Sequence, residues 1–231
     1  SMIIYGQGAI RCHPFVQEEI EAVAAKDVAR LDRAVFGHLA FVPTNKTRAW
    51  LLALTGSRLA AAPSTPLRRE LQHLSRFSAA FAFVSDVAMG ALGGKLKRKE
   101  KLSGRLADAL AWMYLGSAAV KRFESEEKSE ASLDLARWSC WLALYEIQQA
   151  LGGAIDNFPV NWLRRPLSWV IFPLGRRFRY PGDRMGSKVA RSILKDREGR
   201  IRLTGDIHVP GPDEPGLGRL EAALDQAVEA L

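Results

Sequence analysis

The chain has 231 residues, of which 48% are hydrophobic and 25% charged. That balance belongs to a folded globular chain and excludes a disordered one. Lysine and arginine number 33 against 25 aspartate and glutamate, a net charge of +8, which points to an anionic partner: nucleic acid, an acidic membrane face or a phosphate-bearing ligand. Two cysteines, Cys12 and Cys140, are too few for a disulfide framework and suit a reducing compartment. The four histidines, His13, His38, His73 and His208, are scattered. None stands at ligand spacing from a second His, Cys or carboxylate, so no metal is expected. The first nine residues carry no positive charge and include Gly6 and Gly8, so no signal peptide is expected.

In chain order, the spacing predicts short helices over 14–26, 27–41 and 44–61. The stretch 45–62 has no acid and sets Lys46, Arg48 and Arg58 among Trp50, Leu51, Leu52, Leu54 and Leu59. A mobile interfacial helix and an ordinary bundle helix fit it equally.

Three long helical series follow, each stepping by three and four. The first is Leu67, Leu71, Leu74, Ser78, Phe81, Ser85, Ala88 and Leu92. The second is Leu102, Leu106, Ala109, Met113, Ser117 and Val120. The third is Leu133, Ala136, Cys140, Leu144, Ile147, Leu151 and Ala154. Thr65-Pro66 and Ser129-Glu130 read as helix starts. Gly93-Gly94 reads as a stop, and Gly152-Gly153 as a weakened end. Long helices joined by short turns pack as antiparallel neighbours. Residues 77–94 hold one charge, Asp86, but are rich in Ala, Gly and Ser, which suits a buried bundle helix better than a membrane span.

The run Lys95, Lys97, Arg98, Lys99, Lys101 and Arg105 places Lys97, Lys101, Arg105 and Asp108 on one polar face. That face is either solvated or binds phosphate; no nucleic-acid reading motif accompanies it. Residues 157–182 contain Arg164, Arg165, Arg176, Arg177 and Arg179 and no acidic residue, and they interleave the arginines with Phe158, Trp162, Leu163, Leu167, Trp169, Ile171, Phe172, Phe178 and Tyr180. Rings at headgroup level with guanidinium groups on phosphates would produce this composition. Apolar residues capping the bundle, with solvated arginines, would produce it too, and Pro166 and Pro173 argue against one clean amphipathic helix. Beyond, 196–209 carries a weak hairpin alternation in Ile201, Leu203, Ile207 and Val209, and Leu217, Leu220, Leu224 and Val228 mark a last amphipathic helix. Gly6-Gln7-Gly8 lacks a third glycine and a surrounding βαβ pattern, no nucleophile elbow is present, and Asp86 and Asp108 read as cap or ion-pair members rather than general bases.

Three stretches carry a resemblance: Tyr5-Gly-Gln-Gly-Ala-Ile-Arg-Cys-His-Pro14, Leu92-Gly-Gly-Lys-Leu-Lys-Arg-Lys-Glu-Lys-Leu-Ser-Gly-Arg-Leu-Ala-Asp108 and Val170-Ile-Phe-Pro-Leu-Gly-Arg176. They resemble the C-terminal part of the large bacterial acyl-CoA dehydrogenases of fatty-acid β-oxidation, over nearly the whole chain. Arg105-Leu-Ala-Asp108 is also similar to the helical domain of very-long-chain acyl-CoA dehydrogenase. The resemblance implies a parent flavoenzyme that oxidises acyl-CoA to trans-2-enoyl-CoA, with FAD as hydride acceptor. It places the family's catalytic glutamate upstream of Ser1, and Glu18, Glu19 and Glu21 do not match that motif. By position it aligns 44–63 with a membrane-associating segment and 65–158 with the helical bundle.

The expected fold is all-α: a bundle of three long antiparallel helices, shorter flanking helices, and an irregular C-terminal third with a small hairpin. The expected divisions are 1–64, with a candidate membrane segment at 45–62, then 65–158 and 159–231. No catalytic, cofactor-binding or metal residue is expected, and FAD belongs to the parent rather than to this piece. The candidate lipid contacts are Arg48, Trp50, Arg58, Trp162, Arg164, Arg165, Trp169, Arg176 and Arg177. The expected partners are the catalytic part of the same enzyme, a further copy through the parent, and an anionic membrane surface at the cytoplasmic side of the inner membrane; nucleic acid is not expected. The competing reading is a stand-alone helical interaction module with no lipid role.

Overall fold

The computed structural model describes residues 13–126, 128–195, 197–205, 208 and 210–229. Among them there are nine α-helices and no strand. They are α1 (Val16–Ala25), α2 (Val28–Leu54), α3 (Arg68–Leu92), α4 (Glu100–Ser125), α5 (Glu130–Asp156), α6 (Asn161–Ile171), α7 (Asp183–Lys195), α8 (Arg197–Thr204) and α9 (Leu217–Glu229), with a 3₁₀ turn at Gly93–Arg98 between α3 and α4. The all-helical class and the three long central helices stand as the periodicity predicts.

Packing divides the chain into two units: Ser1–Arg122 with Ser139–Tyr180, and Phe123–Trp138 with Pro181–Leu231. The first holds the main core. Phe77, Val84, Leu106, Leu144, Ile147, Leu151 and Phe158 are fully buried there. On α4, Gly116 faces Leu74 of α3 and Ala143 of α5, while Arg105 of α4 lies against Gly153 of α5. Rising numbers on α4 therefore meet falling numbers on α5, so the two run antiparallel. By length and composition α3 is apolar enough to cross a membrane. Its Phe77, Ala80, Val84 and Ala88 are instead buried inside the bundle. In the second unit, Lys188 of α7 bridges Glu130 at 2.9 Å and Asp134 at 2.6 Å on α5, and Val189 of α7 is buried.

Four sequence expectations are corrected. The separate helices expected over 27–41 and 44–61 are one continuous α2. Asp27 caps its start by accepting the Arg30 N–H at 3.0 Å. Pro43 lies inside, and its missing N–H leaves a carbonyl free one turn back. Pro43 is exposed, so water can meet that carbonyl, and the neighbouring Thr44 hydroxyl donates to the Ala40 carbonyl at 3.0 Å. The hairpin is absent where it can be checked: Arg197–Thr204 is helical, while Asp196, Asp206, Ile207 and Val209 lie outside the described residues. Ile201 and Leu203, the alternating residues inside this helix, do not specify a strand, and the Arg, Glu and Leu around them favour helix. The C-terminal third is not irregular but holds α6 to α9. Pro166 sits inside α6 on its exposed side, and Pro173 stops the helix by holding Phe172 out of the helical region at φ −126°, ψ 52°. Lastly, Gly152-Gly153 does not weaken α5, which continues to Asp156. A Cβ on Gly152 would come 2.7 Å from Arg176 Cζ, so the glycine makes room for a guanidinium.

The start signals are met in modified form. Thr65 accepts the Leu67 N–H at 2.9 Å, one turn ahead of α3. Ser129 and Ser132 exchange backbone-to-hydroxyl bonds at 3.0 Å each, a reciprocal cap for α5. Gly93 ends α3 with φ +48°, a conformation open to glycine. Ser78, expected on the buried stripe of α3, is exposed; the stripe passes through Leu74 and Phe77 instead.

Candidate functional site

The nine candidate lipid contacts fall on α2, the loop after it, α6 and the segment after α6, all in the first unit. α2 packs on α6, and the Trp50 and Trp169 rings meet at a centroid distance of 5.4 Å. Trp50 is half-buried against the core. Trp169 remains 60% exposed and Trp162 74% exposed. Trp162, Arg165, Pro166 and Trp169 follow the spacing of one helix face, and all four are exposed. The opposite face of α6 buries Leu167, Val170 and Ile171. Arg76 of α3 fastens that face by donating to the Ile171 carbonyl at 3.0 Å, a cation at a helix C-terminus.

The arginines divide into two groups. Arg164 Nε donates to the Phe158 carbonyl at 2.7 Å. Arg176 Nη2 donates to both Asp156 carboxylate oxygens, at 2.6 and 2.7 Å, and its guanidinium lies 5.6 Å over the Phe172 ring. These two hold the bundle end together. Arg165 and Arg58 are exposed and have no acid partner among the described residues. Arg48 donates to the Ser75 hydroxyl at 3.0 Å, and Arg177 to the Leu174 carbonyl at 3.2 Å; both keep their charge at the surface. Beside Arg48 runs an open groove of about 700 Å³, lined by Pro43, Thr47, Leu51, Leu52 and Leu59.

Two further features escaped the sequence reading. In the second unit, an open groove of about 770 Å³ is lined by Arg184, Lys188, Arg191, Ser192 and Lys195 of α7. Four cations at spacings of four, three and four residues were the available signal. In the first unit, His13, His38 and Asp86 converge although 73 residues separate the outer two. His13 Nε2 stands 3.0 Å from Asp86 Oδ1, and His38 Nε2 stands 3.8 Å from the same oxygen. His38 Nδ1 meets Glu19 Oε1 at 2.9 Å. His13 Nδ1 accepts the N–H groups of Phe15 and Val16 at 3.2 and 3.1 Å, capping α1. Gly37 lets the Phe15 ring lie on α2, since a Cβ there would come 2.5 Å from Phe15 Cε1. The Asp86 side chain is 1% exposed. Burial pushes its carboxyl above the usual range against the pull of both histidines. Burial pushes His13 down, with Asp86 opposing. The one sequence signal was Asp86 as the single charge in the apolar stretch 77–94.

Architecture and surface together define an all-helical domain whose distinctive chemistry lies on exposed faces. The chain belongs to the acyl-CoA dehydrogenase C-terminal family of bacterial type, whose model matches residues 10–231. No solved structure matches the chain.

Proposed function

We propose that this chain is the accessory helical domain of an FAD-dependent acyl-CoA dehydrogenase acting on long acyl chains in the first step of fatty-acid β-oxidation, and that it docks the enzyme on an anionic membrane surface. The family supports the dehydrogenase part. The outer face of α6 supports the membrane part: two largely exposed tryptophans share that face, and Arg165 between them has no acid partner among the described residues. A buried tryptophan gains far more than one left in water, so this pair is poorly placed for a water-facing surface. Indole rings at headgroup depth beside a guanidinium suit an acidic bilayer. Arg48, Arg58 and Arg177 add charge on the same unit; Trp50 supports Trp169 from below.

Flavin chemistry is not assigned to these residues. The family implies FAD in the full enzyme, and on this reading the rest of the enzyme holds it.

The test is co-sedimentation with vesicles of mixed phosphatidylcholine and phosphatidylglycerol at low salt. The expected result is binding that rises with the anionic fraction and falls at least tenfold in W162A/W169A and in R165E. No binding, or binding indifferent to both variants, rejects the docking role. A second reading has its own observation: Ile20 and Val23 of α1 and Val28, Phe36 and Leu39 of α2 are each more than half exposed. Such a patch marks a protein contact, and the catalytic part of the same enzyme is the partner that the family implies.

A further inference from the structure

We propose that His13, His38 and Asp86 bind one divalent first-row transition-metal ion, with Zn²⁺ the best match to two imidazoles and a carboxylate. The three donor atoms lie within 4.8 Å of one another. Donors around a single ion at about 2.0–2.2 Å stand roughly 3–3.5 Å apart, so the triangle closes with small side-chain movements. The donors reach the site from three places that the fold fixes independently: the residue ahead of α1, the middle of α2, and the core helix α3.

The surroundings favour a cation. Glu19 holds the Nδ1 side of His38 at 2.9 Å, the carboxylate–histidine pairing that orients a metal ligand and leaves Nε2 as its donor. That Nε2 then faces Asp86 Oδ1 at 3.8 Å, two electron-rich atoms that a cation between them would satisfy. Asp86 Oδ2 and Asn45 Nδ2 are both buried without a bond of good geometry, although the Asn45 amide lies close enough to Asp86 to lower its pKa. A nearly fully buried carboxylate with a free oxygen is costly unless a cation meets it. The His38 side chain is 20% exposed, which leaves an entry path and room for a water ligand.

His13 links the site to α1. In the metal-free chain its Nδ1 accepts two N–H bonds, so its proton sits on Nε2 and points at Asp86. Coordination through Nε2 moves that proton to Nδ1 and releases the Phe15 and Val16 amides. Those bonds are long, at 3.1 and 3.2 Å, and weak beside a metal–imidazole bond. The entry of α1 should therefore report occupancy.

The experiment uses the full chain stripped with EDTA. Calorimetric titration with Zn²⁺ should give one equivalent with micromolar or tighter affinity. Co²⁺ should add visible d–d absorption, and the Phe15 and Val16 amide resonances should shift. H38A should weaken binding at least 100-fold and D86N at least tenfold, with helical circular dichroism retained; H73A and H208A should bind as the parent does. If D86N does not fold, H38A decides, because His38 is partly exposed. Absence of stoichiometric binding overturns the proposal. So does binding that persists in folded H38A, or that H208A abolishes, since the ion would then sit elsewhere.

Discussion

His73 shows what a single titratable side chain does inside this bundle. Its Nδ1 lies 2.9 Å from the Ser57 hydroxyl, and its ring packs edge-on to Phe178 at 5.0 Å. Burial pushes its pKa down to about 4, helped by the Arg69 and Arg76 cations. An unfolded imidazole titrates near 6.5. Between pH 6.5 and 4 the unfolded chain therefore takes up a proton that the folded chain refuses, and stability falls as pH drops through that window. Above 6.5 the contribution is constant. Part of the ring still meets solvent, so the loss is about 1–2 kcal/mol rather than the full value of the shift. Urea unfolding at pH 7.0 and 4.5 should show H73N losing less stability than the parent by that amount. Equal losses in both chains would place the pH dependence on other groups.

At the scale of elements, a polar side chain joins the bundle to the segment after α6. Gln148 of α5 is 2% exposed. Its Nε2 donates to the Phe178 carbonyl at 2.7 Å, and its Oε1 accepts the Phe178 N–H at 2.9 Å. One amide thus satisfies both backbone groups of a buried loop residue, which otherwise stand unpaired in the core. Q148L keeps the volume and removes both bonds. Each of the two orphaned groups costs about 1–3 kcal/mol, so a loss of about 2–6 kcal/mol is expected by urea denaturation. A loss below 1 kcal/mol would mean that the loop finds other partners.

The same scale shows what the sequence made legible. Periodicity of three and four revealed α3, α4 and α5 because their stripes are long and apolar, and the glycines at 93 and 94 ended α3 where expected. Proline misled at Pro166, and Pro43 lies inside a helix that the sequence reading split in two. Both lie on solvent-facing sides of their helices, where a lost backbone bond is met by water, and exposure is not written in local sequence. Alternation over 196–209 misled because a strand needs a partner, which local spacing cannot supply. The α6 face was legible in composition, but only the helix through Pro166 aligns Trp162, Arg165 and Trp169. The His13–His38–Asp86 convergence was illegible because tertiary packing alone joins residues so far apart.

For the whole molecule, stability is distributed unevenly between the two units. The main core, from Ala49 through Phe178, lies in the first unit and is built from α3, the adjoining stretches of α4 and α5, and α6. In the second unit α8 leaves Ile201 54% exposed, and α9 leaves Leu217 and Leu220 each 67% exposed. Helices shorter than about 15 residues are marginal on propensity alone and depend on packing for their stability; α8 has 8 residues and α9 has 13. Local opening should follow that difference in buried apolar surface. Hydrogen exchange followed by mass spectrometry should find the α3 amides protected up to the global unfolding free energy, and those of α8 and α9 exchanging at least about 100-fold faster. Addition of anionic vesicles should raise protection over α6 if the tryptophan face is the docking surface, while leaving the buried amides of α3 unchanged. Equal protection of α9 and α3 in the isolated chain would overturn the expected difference between the two units.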